Sequence, residues 1–574
     1  MPRLLSSGLS SLRYVSRAIG GYSVACDVFA VAALISALIE PRGPVTIVLL
    51  ILTALLVLVE PVTEVVRGLR DSAEIRLMIG SSSMARILVV LAALTVDLGN
   101  GTSVWAPIAA ALISVMVIAE AALRRPIRLA MPQSANIPGW EAPLPSVAAA
   151  NALFAIDSLG MVLMLVSATL GITQVPAAVA ALAGLVVAIL IALQSVRYLS
   201  KRNRFEANLS KILDSIAPAF CFHWQAPAGT AYQASMWLPY LDRIGVPYFV
   251  LVRTAANFTE VSKLTSAPVI LRVGLEDLDP IVCPSLKAVF YANTAVRNAH
   301  MIRFPHLTHI QLNHGDSDKI ASVSPTFRQY DRNFVAGQAA IDRFAKHGVV
   351  TRADQFEIVG RPQLEHVARA AGPISTVAHP TVLYSPTWSG FYEDSDYSSL
   401  PAGPAIVTAL LERGCTVVFR PHPYARRHKA NAAACEQVIE LLAEDAARTG
   451  RSHVFGPAAE TEMSVVDCFN ASDAMVSDVS SLVSDYLISE KPFAMAAVSA
   501  HGDAFAEEFP LAEAAYVFDV LDGQSVGIEE LLGELLGPDQ KAATRTSLRA
   551  YYLSDNPPER VVEHFLSVAR RYVG

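Results

Sequence analysis

"AMVSDVSSLVSDYLISEKPFAM", Ala474 to Met495, decides the fold class. It reads as an apolar strand, a polar turn, a stretch with Leu482, Val483, Tyr486 and Leu487 at helical spacing, and a second apolar strand after Pro492. Strand, helix and strand in close succession form a βαβ unit, and such units build parallel sheets. The turn holds Asp478, Ser480 and Ser481, and a helix is expected to start near Ser480. Two readings of the serines are open. One is a helix cap. The other is a grip on a phosphate, because the first amides of a helix lack intrahelical partners and serine hydroxyls add donors without bulk. Asp478 would repel a phosphate, so it is expected to cap the helix or accept a ribose hydroxyl.

The same alternation extends outward in both directions. From Phe220 onward, "AFCFHW", "YFVLV", "PVILRV", "AVFYA", "THIQLNHG", "NFVAG" and "FEIVG" read as strands. A Pro- and Ala-rich break near Ala371–Pro380 precedes "TVLYSPT", "CTVVFRPHP", the opening stretch and "PFAMAAV", with helical patterns such as "PAIVTALLERG" between them. The break implies two α/β domains in tandem, with boundaries at 201–374 and 375–574. Ligands of open α/β sheets bind beyond the carboxyl ends of the strands.

The first third is different. The chain has 574 residues, 53% of them hydrophobic and only 17% charged, with a mean hydropathy of +0.39. A membrane-crossing helix needs about 20 mainly apolar residues. Six candidates stand out within 1–200: Tyr22–Ile39, Val45–Val59, Met84–Leu98, Val104–Leu123, Val147–Leu170 and Val175–Val196. Arg3, Arg13, Arg17, then Arg67, Arg70, Arg76 and Arg86, then Arg124, Arg125 and Arg128, then Arg197 to Lys211 all fall on one side, while the alternate loops "DLGNGTS" and "GITQ" carry no Lys or Arg and "EPRGP" carries one. The positive-inside rule then places both termini, and everything after about Arg197, in the cytoplasm. Asp27 and Asp157 fall within spans, where the plainer reading is that each lies near an interface or faces a neighbouring helix. The net charge of −7 argues against nucleic-acid binding. The six cysteines are scattered without a C-x-x-C pair and read as reduced packing residues.

Five polar turns follow five expected strands: "NHGDSDK" (Asn313 to Lys319), "SPTWSGFY", "RPHP" (Arg420 to Pro423), "SDVSSLVSDYL" and "GRPQ". Each alone is weak, since a lone loop histidine is more often a surface or capping residue than a catalyst. Their joint placement at strand ends is what counts. Arg420 and His422 stand where they could bring charge to the anion held by the serines.

The region from about Thr308 to Met495 resembles the CDP-glycerol glycerophosphotransferase family, the teichoic-acid primases and polymerases of bacterial envelopes. "NHGDSDK" matches the family's His-Gly motif ending in lysine, "YSPTW" its Tyr-[Ala/Ser]-Pro-Thr motif, "RPHP" its His-Pro motif, and "SDVSSLVSDYL" its Asp-x-Ser-Ser motif with a following aspartate-aromatic pair. "VGRPQL" and "KPFAM" add support. The chain departs from the pattern in having Asp316-Ser317-Asp318 after His-Gly, in a loop expected to face the acceptor, and in carrying membrane spans. The resemblance implies a GT-B fold of two Rossmann-like domains, the C-terminal one holding the nucleotide donor. It makes His314 the general base on the acceptor hydroxyl. It places Arg420, His422, Ser480, Ser481, Asp478, Thr387 and Pro386 around the donor, with Gly315, Asp316, Lys319, Arg361 and Asp485 as further site candidates. No acidic cluster calls for a resident metal; Mg²⁺, if required, would arrive with the nucleotide donor.

The expected function is an integral-membrane transferase of the bacterial cell envelope. It moves glycerol phosphate, or a related polyol phosphate, from a CDP-linked donor to a lipid-linked or glycan acceptor. A GT-B glycosyltransferase using a nucleotide sugar is the alternative, and a non-catalytic scaffold that senses a nucleotide is a third reading.

Overall fold

A computed structural model of the chain describes residues 22–71, 77–101, 104–129, 133–140, 147–390 and 396–574. Arg3, Arg13, Arg17 and Arg76, which the orientation argument uses, lie outside the described residues. The chain forms two compact units, Met1–Asn208 and Leu209–Gly574.

The first unit is helical: Tyr22–Ile39, Pro44–Asp71, Ser83–Asn100, Trp105–Leu129 and Val147–Leu170, with Val175–Ile216 beginning in it. Among the described residues, five helices are long and apolar enough to cross a membrane, against the six expected. The third expected span is the helix Ser83–Asn100 but is not among them, and it carries two buried charged residues, Arg86 and Asp97. Arg86 makes a two-pronged pair with Glu120, both bonds 2.8 Å, and Asp97 accepts from Gln174 Nε2 at 2.7 Å. Small residues let this helix approach the first one closely: Cys26, Ala30, Ala33 and Ala37 are buried on one, and Ala85, Val89 and Ala92 on the other. Asp157 faces a neighbouring helix, as expected; a Cβ on Gly184 would lie 2.6 Å from its Oδ1.

The second unit holds two parallel sheets. The first contains β1 (Phe220–Trp224), β2 (Tyr248–Val252), β3 (Val269–Leu271), β4 (Ala288–Tyr291), β5 (Thr308–Gln311), β6 (Arg332–Val335) and β7 (Phe356–Ile358). Their spatial order is β3-β2-β1-β4-β5-β6-β7, all parallel. β1, β2 and β4 are buried at every residue, which is why they read as unbroken apolar runs. The second sheet holds β8 (Thr381–Ser385), β9 (Thr416–Phe419), β10 (Ala474–Ser477), β11 (Phe493–Ala497), β12 (Tyr516–Leu521) and β13 (Gln524–Val526), in the order β9-β8-β10-β11-β12-β13. Only the final pair is antiparallel. The opening stretch is indeed a βαβ unit, with Met475 of β10 opposite Phe493 of β11.

Strand order reverses between β1 and β4 in one sheet and between β8 and β10 in the other, and such switch points open crevices at the carboxyl ends. The two doubly wound halves make a GT-B-like α/β unit. The helix Val561–Val573 returns from the second half to the first: Phe565 packs on Trp237 with ring centroids 5.5 Å apart, and Arg570 Nε donates to the Ile244 carbonyl at 3.0 Å. Gly337 permits a second crossing, since a Cβ there would lie 2.4 Å from the Tyr551 carbonyl oxygen.

Candidate active site

A cavity of about 740 Å³ opens between the carboxyl ends of the two sheets, and every expected site residue except Asp478 lines it. On the first-half wall, β5 ends at Gln311 and the chain turns through Asn313, whose left-handed backbone (φ 60°) swings the next residue outward. Trp237 Nε1 pins this turn by donating to the Asn313 carbonyl at 2.5 Å. His314 follows. Its Nδ1 lies 3.0 Å from the Ala292 carbonyl, which can only accept, so Nδ1 carries the proton and Nε2 keeps its lone pair. The ring is open to the cavity yet walled round by protein. That burial, helped by the Arg361 guanidinium, pushes its pKa below the ordinary imidazole value against the pull of Ala292. His314 is thus a neutral base at neutral pH. Gly315 comes next, and a Cβ there would meet Ser481 Oγ at 2.7 Å. The two walls therefore touch at this glycine.

On the second-half wall, β8 ends at Ser385 and β10 at Ser477. Asp478 is fully buried and accepts from the Thr387 amide at 2.9 and 3.0 Å, from the Ser399 amide at 2.9 Å and from Ser399 Oγ at 3.0 Å. Burial raises its pKa to about 6, against Lys319 and these donors. It gives no cap bond to the helix that starts at Ser481 and lies outside the cavity lining, stapling two loops together instead. His422 follows β9. Its Nδ1 receives the Tyr424 amide at 3.0 Å, so its proton sits on Nε2. Burial, with Lys319 and His314 nearby, lowers its pKa to about 3, making it a neutral donor. Lys319 reaches across from the first half and donates to Thr387 Oγ1 at 2.8 Å. Burial lowers its ammonium to about 8, against Asp478 and Asp396.

The serines resolve in part. The helix after them is Ser481–Tyr486, continued by a 3₁₀ turn, and it starts where the sequence places it. Ser480 occupies the cap position, yet its hydroxyl makes no capping bond and its Oγ is enclosed without a partner. Arg361 and Asp485, expected as ligand-facing candidates, bind each other through two bonds of 3.0 and 2.9 Å, both side chains buried, and join the two halves. Arg420 lines the cavity, but its Nη1 is held by the carbonyls of Ala459 and Met463. Asp316 and Asp318 both bind Arg343, at 2.6 and 2.9 Å, so neither is a free base.

Two cavity residues escaped sequence reasoning. Trp388 stacks beside His422, with ring centroids 6.0 Å apart. It stands in the quoted "SPTW", and an aromatic directly after a strand end was the available signal. Gln363 stands in "GRPQ", and its Oε1 is enclosed without a partner.

Together these groups set a basic nitrogen opposite several hydrogen-bond donors and an ammonium, across a space of ligand size. Such a site can take a proton from a hydroxyl while neutralising charge on a phosphate.

Residues 363–501 match the CDP-Glycerol:Poly(glycerophosphate) glycerophosphotransferase family. No curated protein sequence matches the chain. Among solved structures, the wall teichoic acid polymerase TagF is 12% identical, with 67% of this chain and 97% of that one covered and a TM-score of 0.41. MnaA of S. aureus with UDP is 11% identical (62% and 96% covered, TM-score 0.41), and HepE of Anabaena with UDP and glucose is 14% identical (62% and 99% covered, TM-score 0.37). At TM-scores this low the likenesses carry no argument about fold or activity.

Proposed function

We propose that this chain, a CDP-glycerol glycerophosphotransferase-like transferase, moves glycerol phosphate or a related polyol phosphate from a CDP-linked donor to a hydroxyl of a lipid-linked or glycan acceptor. The acceptor hydroxyl oxygen attacks the phosphorus that bears the glycerol. A new P–O bond forms, the bond to the bridging oxygen breaks, and CMP leaves with the electron pair. The hydroxyl proton passes to His314 Nε2. His422 Nε2–H, the Lys319 ammonium and the Ser480 hydroxyl stabilise charge on the pyrophosphate, with Ser481, Thr387, Pro386 and Arg420 shaping the loops around it. The halves divide the work: 201–374 takes the acceptor and 375–574 the donor. Preorganised donors of this kind are usually the largest contribution to such catalysis.

One observation carries the reading: the free Nε2 of His314 faces the same cavity as the donor groups at the opposite sheet ends. The five apolar helices support a place in the bacterial cell membrane, and the arginine pattern supports a cytoplasmic catalytic unit with both termini on that side. The donor is tested by thermal protection of the purified full-length protein. CDP-glycerol is expected to raise the unfolding midpoint more than UDP- or GDP-sugars at equal concentration. Protection by a nucleotide sugar alone would replace this reading with a glycosyltransferase.

A further inference from the structure

His314 opens a loop that is fastened from outside the cavity. The loop carries two carboxylates, and both bind Arg343 of the helix Gln338–Lys346: Asp316 Oδ1 accepts at 2.6 Å, Asp318 Oδ1 at 3.2 and 2.9 Å. The side chains of Arg343 and Asp318 are 5% and 8% exposed, so little water competes for these bonds. Asp318 Oδ2 accepts once more, at 2.8 Å, from the hydroxyl of Tyr552, which lies 234 residues on in the helix Ala542–Leu553. One guanidinium serves two carboxylates here, and the tyrosine hydroxyl completes the bonding of the second. Arg343 and Tyr552 stand outside the cavity lining.

The partners of the loop come largely from later in the chain. Ser484 Oγ donates to the Asp316 carbonyl at 2.6 Å, and Lys319 reaches Thr387. Gly337, just before the Arg343 helix, makes the Tyr552 contact possible, since a Cβ there would lie 2.5 Å from the Tyr552 carbonyl carbon. That close backbone approach sets Arg343 and Tyr552 against one loop. The adjacent Tyr551 has a different use: its hydroxyl donates to Asp342 at 2.8 Å on the exposed side of the same helix. A base carried on a loop needs outside support, because loops hold geometry less well than helices or strands. Misplacement by about 1 Å can cost about 10²-fold in rate.

We infer that Tyr552 and Arg343 are positioning residues for the base: acting through Asp318, they hold the loop 314–319 so that His314 Nε2 faces the donor groups. The inference rests on the reading of His314 as the base. It gives the second half of the catalytic unit two tasks, holding the donor and setting where the base of the first half stands.

The test compares two neighbouring hydroxyls. Tyr552→Phe removes the one on Asp318 and keeps the ring in the core; Tyr551→Phe removes the one on Asp342. Purified protein is assayed with CDP-glycerol and a lipid-linked glycan acceptor. Tyr552→Phe is expected to lower kcat at least about tenfold with KM for CDP-glycerol unchanged, as misplacement of a group acting in the transition state does. Tyr551→Phe is expected to change neither. Arg343→Lys, which keeps the charge and loses the fork, is expected to follow Tyr552→Phe. A second measurement needs no turnover: acylation of His314 by diethyl pyrocarbonate, followed on its peptide by mass spectrometry. It is expected to run about tenfold faster in Tyr552→Phe, since one hydrogen bond to a charged group is gone, with the rate at His422 unchanged. An intact kcat, an equal loss in Tyr551→Phe, or an unmoved acylation rate overturns the inference, whatever happens to the thermal midpoint. Absence of transfer by the native protein would sink the transferase reading, and the acylation rates would still decide whether Tyr552 holds this loop.

Discussion

On the first-half wall of the cavity, His314 Nε2 faces the space with no protein partner. On the second-half wall nearly everything is already bound: the Thr387 and Ser399 amides by buried Asp478, Arg420 by two carbonyls, and Thr387 Oγ1 by Lys319 reaching from the first half. The difference follows from the work proposed for each wall. A base must have a free lone pair to receive a proton. An anion cradle must be rigid before the anion arrives, because donors that reorganise during reaction lose much of their effect. The loops of the second half are therefore fixed by a buried carboxylate, and Ser480 Oγ and His422 Nε2–H are among the groups left to give.

The comparison breaks first at His314. His314→Ala is expected to lower turnover roughly 10²–10⁴-fold with donor affinity nearly unchanged, since a contact made in the transition state shows in turnover. Calorimetry beside steady-state rates checks the split; equal loss in both would place His314 among the donor ligands. Next comes the Arg361–Asp485 bridge that holds the walls together. Asp485→Ala leaves a buried guanidinium unpaired and is expected to cost about 3–5 kcal/mol of stability, whereas replacing both residues with apolar ones is expected to be far milder. Thermal midpoints of the single and double variants decide this. Ser480→Ala is expected to weaken CDP-glycerol binding about tenfold, as loss of a hydrogen bond to a charged group does, without lowering the thermal midpoint. A lower midpoint with intact affinity would make the serine a cap after all.

The smallest effect concerns pH. His314 works neutral, and its lowered pKa keeps it so as pH falls, so the acid limb of kcat/KM is expected below the ordinary imidazole value of about 6.5. Lys319 works as a cation, which is lost as pH rises past about 8. Lys319→Arg is expected to move the alkaline limb out of the measurable range, because a guanidinium stays charged. An unmoved limb would remove Lys319 from the cradle.

Much of the architecture was legible in the sequence because parallel, doubly buried strands announce themselves: "YFVLV" and "AVFYA" admit few other readings. β12 and β13 were not legible. β12 alternates buried with more exposed residues next to the sheet edge, and the edge strand β13 is three residues long. The site residues were found by their position after strands. Their roles depended on contacts far apart in the chain, such as Asp478 with Ser399 or Arg361 with Asp485, and no local pattern records those.

The most direct measurement is the product itself. Purified protein is incubated with CDP-glycerol and a lipid-linked glycan acceptor, and the lipid fraction and nucleotides are followed by mass spectrometry. The account requires CMP and a phosphodiester-linked glycerol phosphate on the acceptor in equal amounts, both abolished to background by His314→Ala. Acceptor modified by a hexose from a nucleotide sugar, with CDP-glycerol left intact, would contradict it.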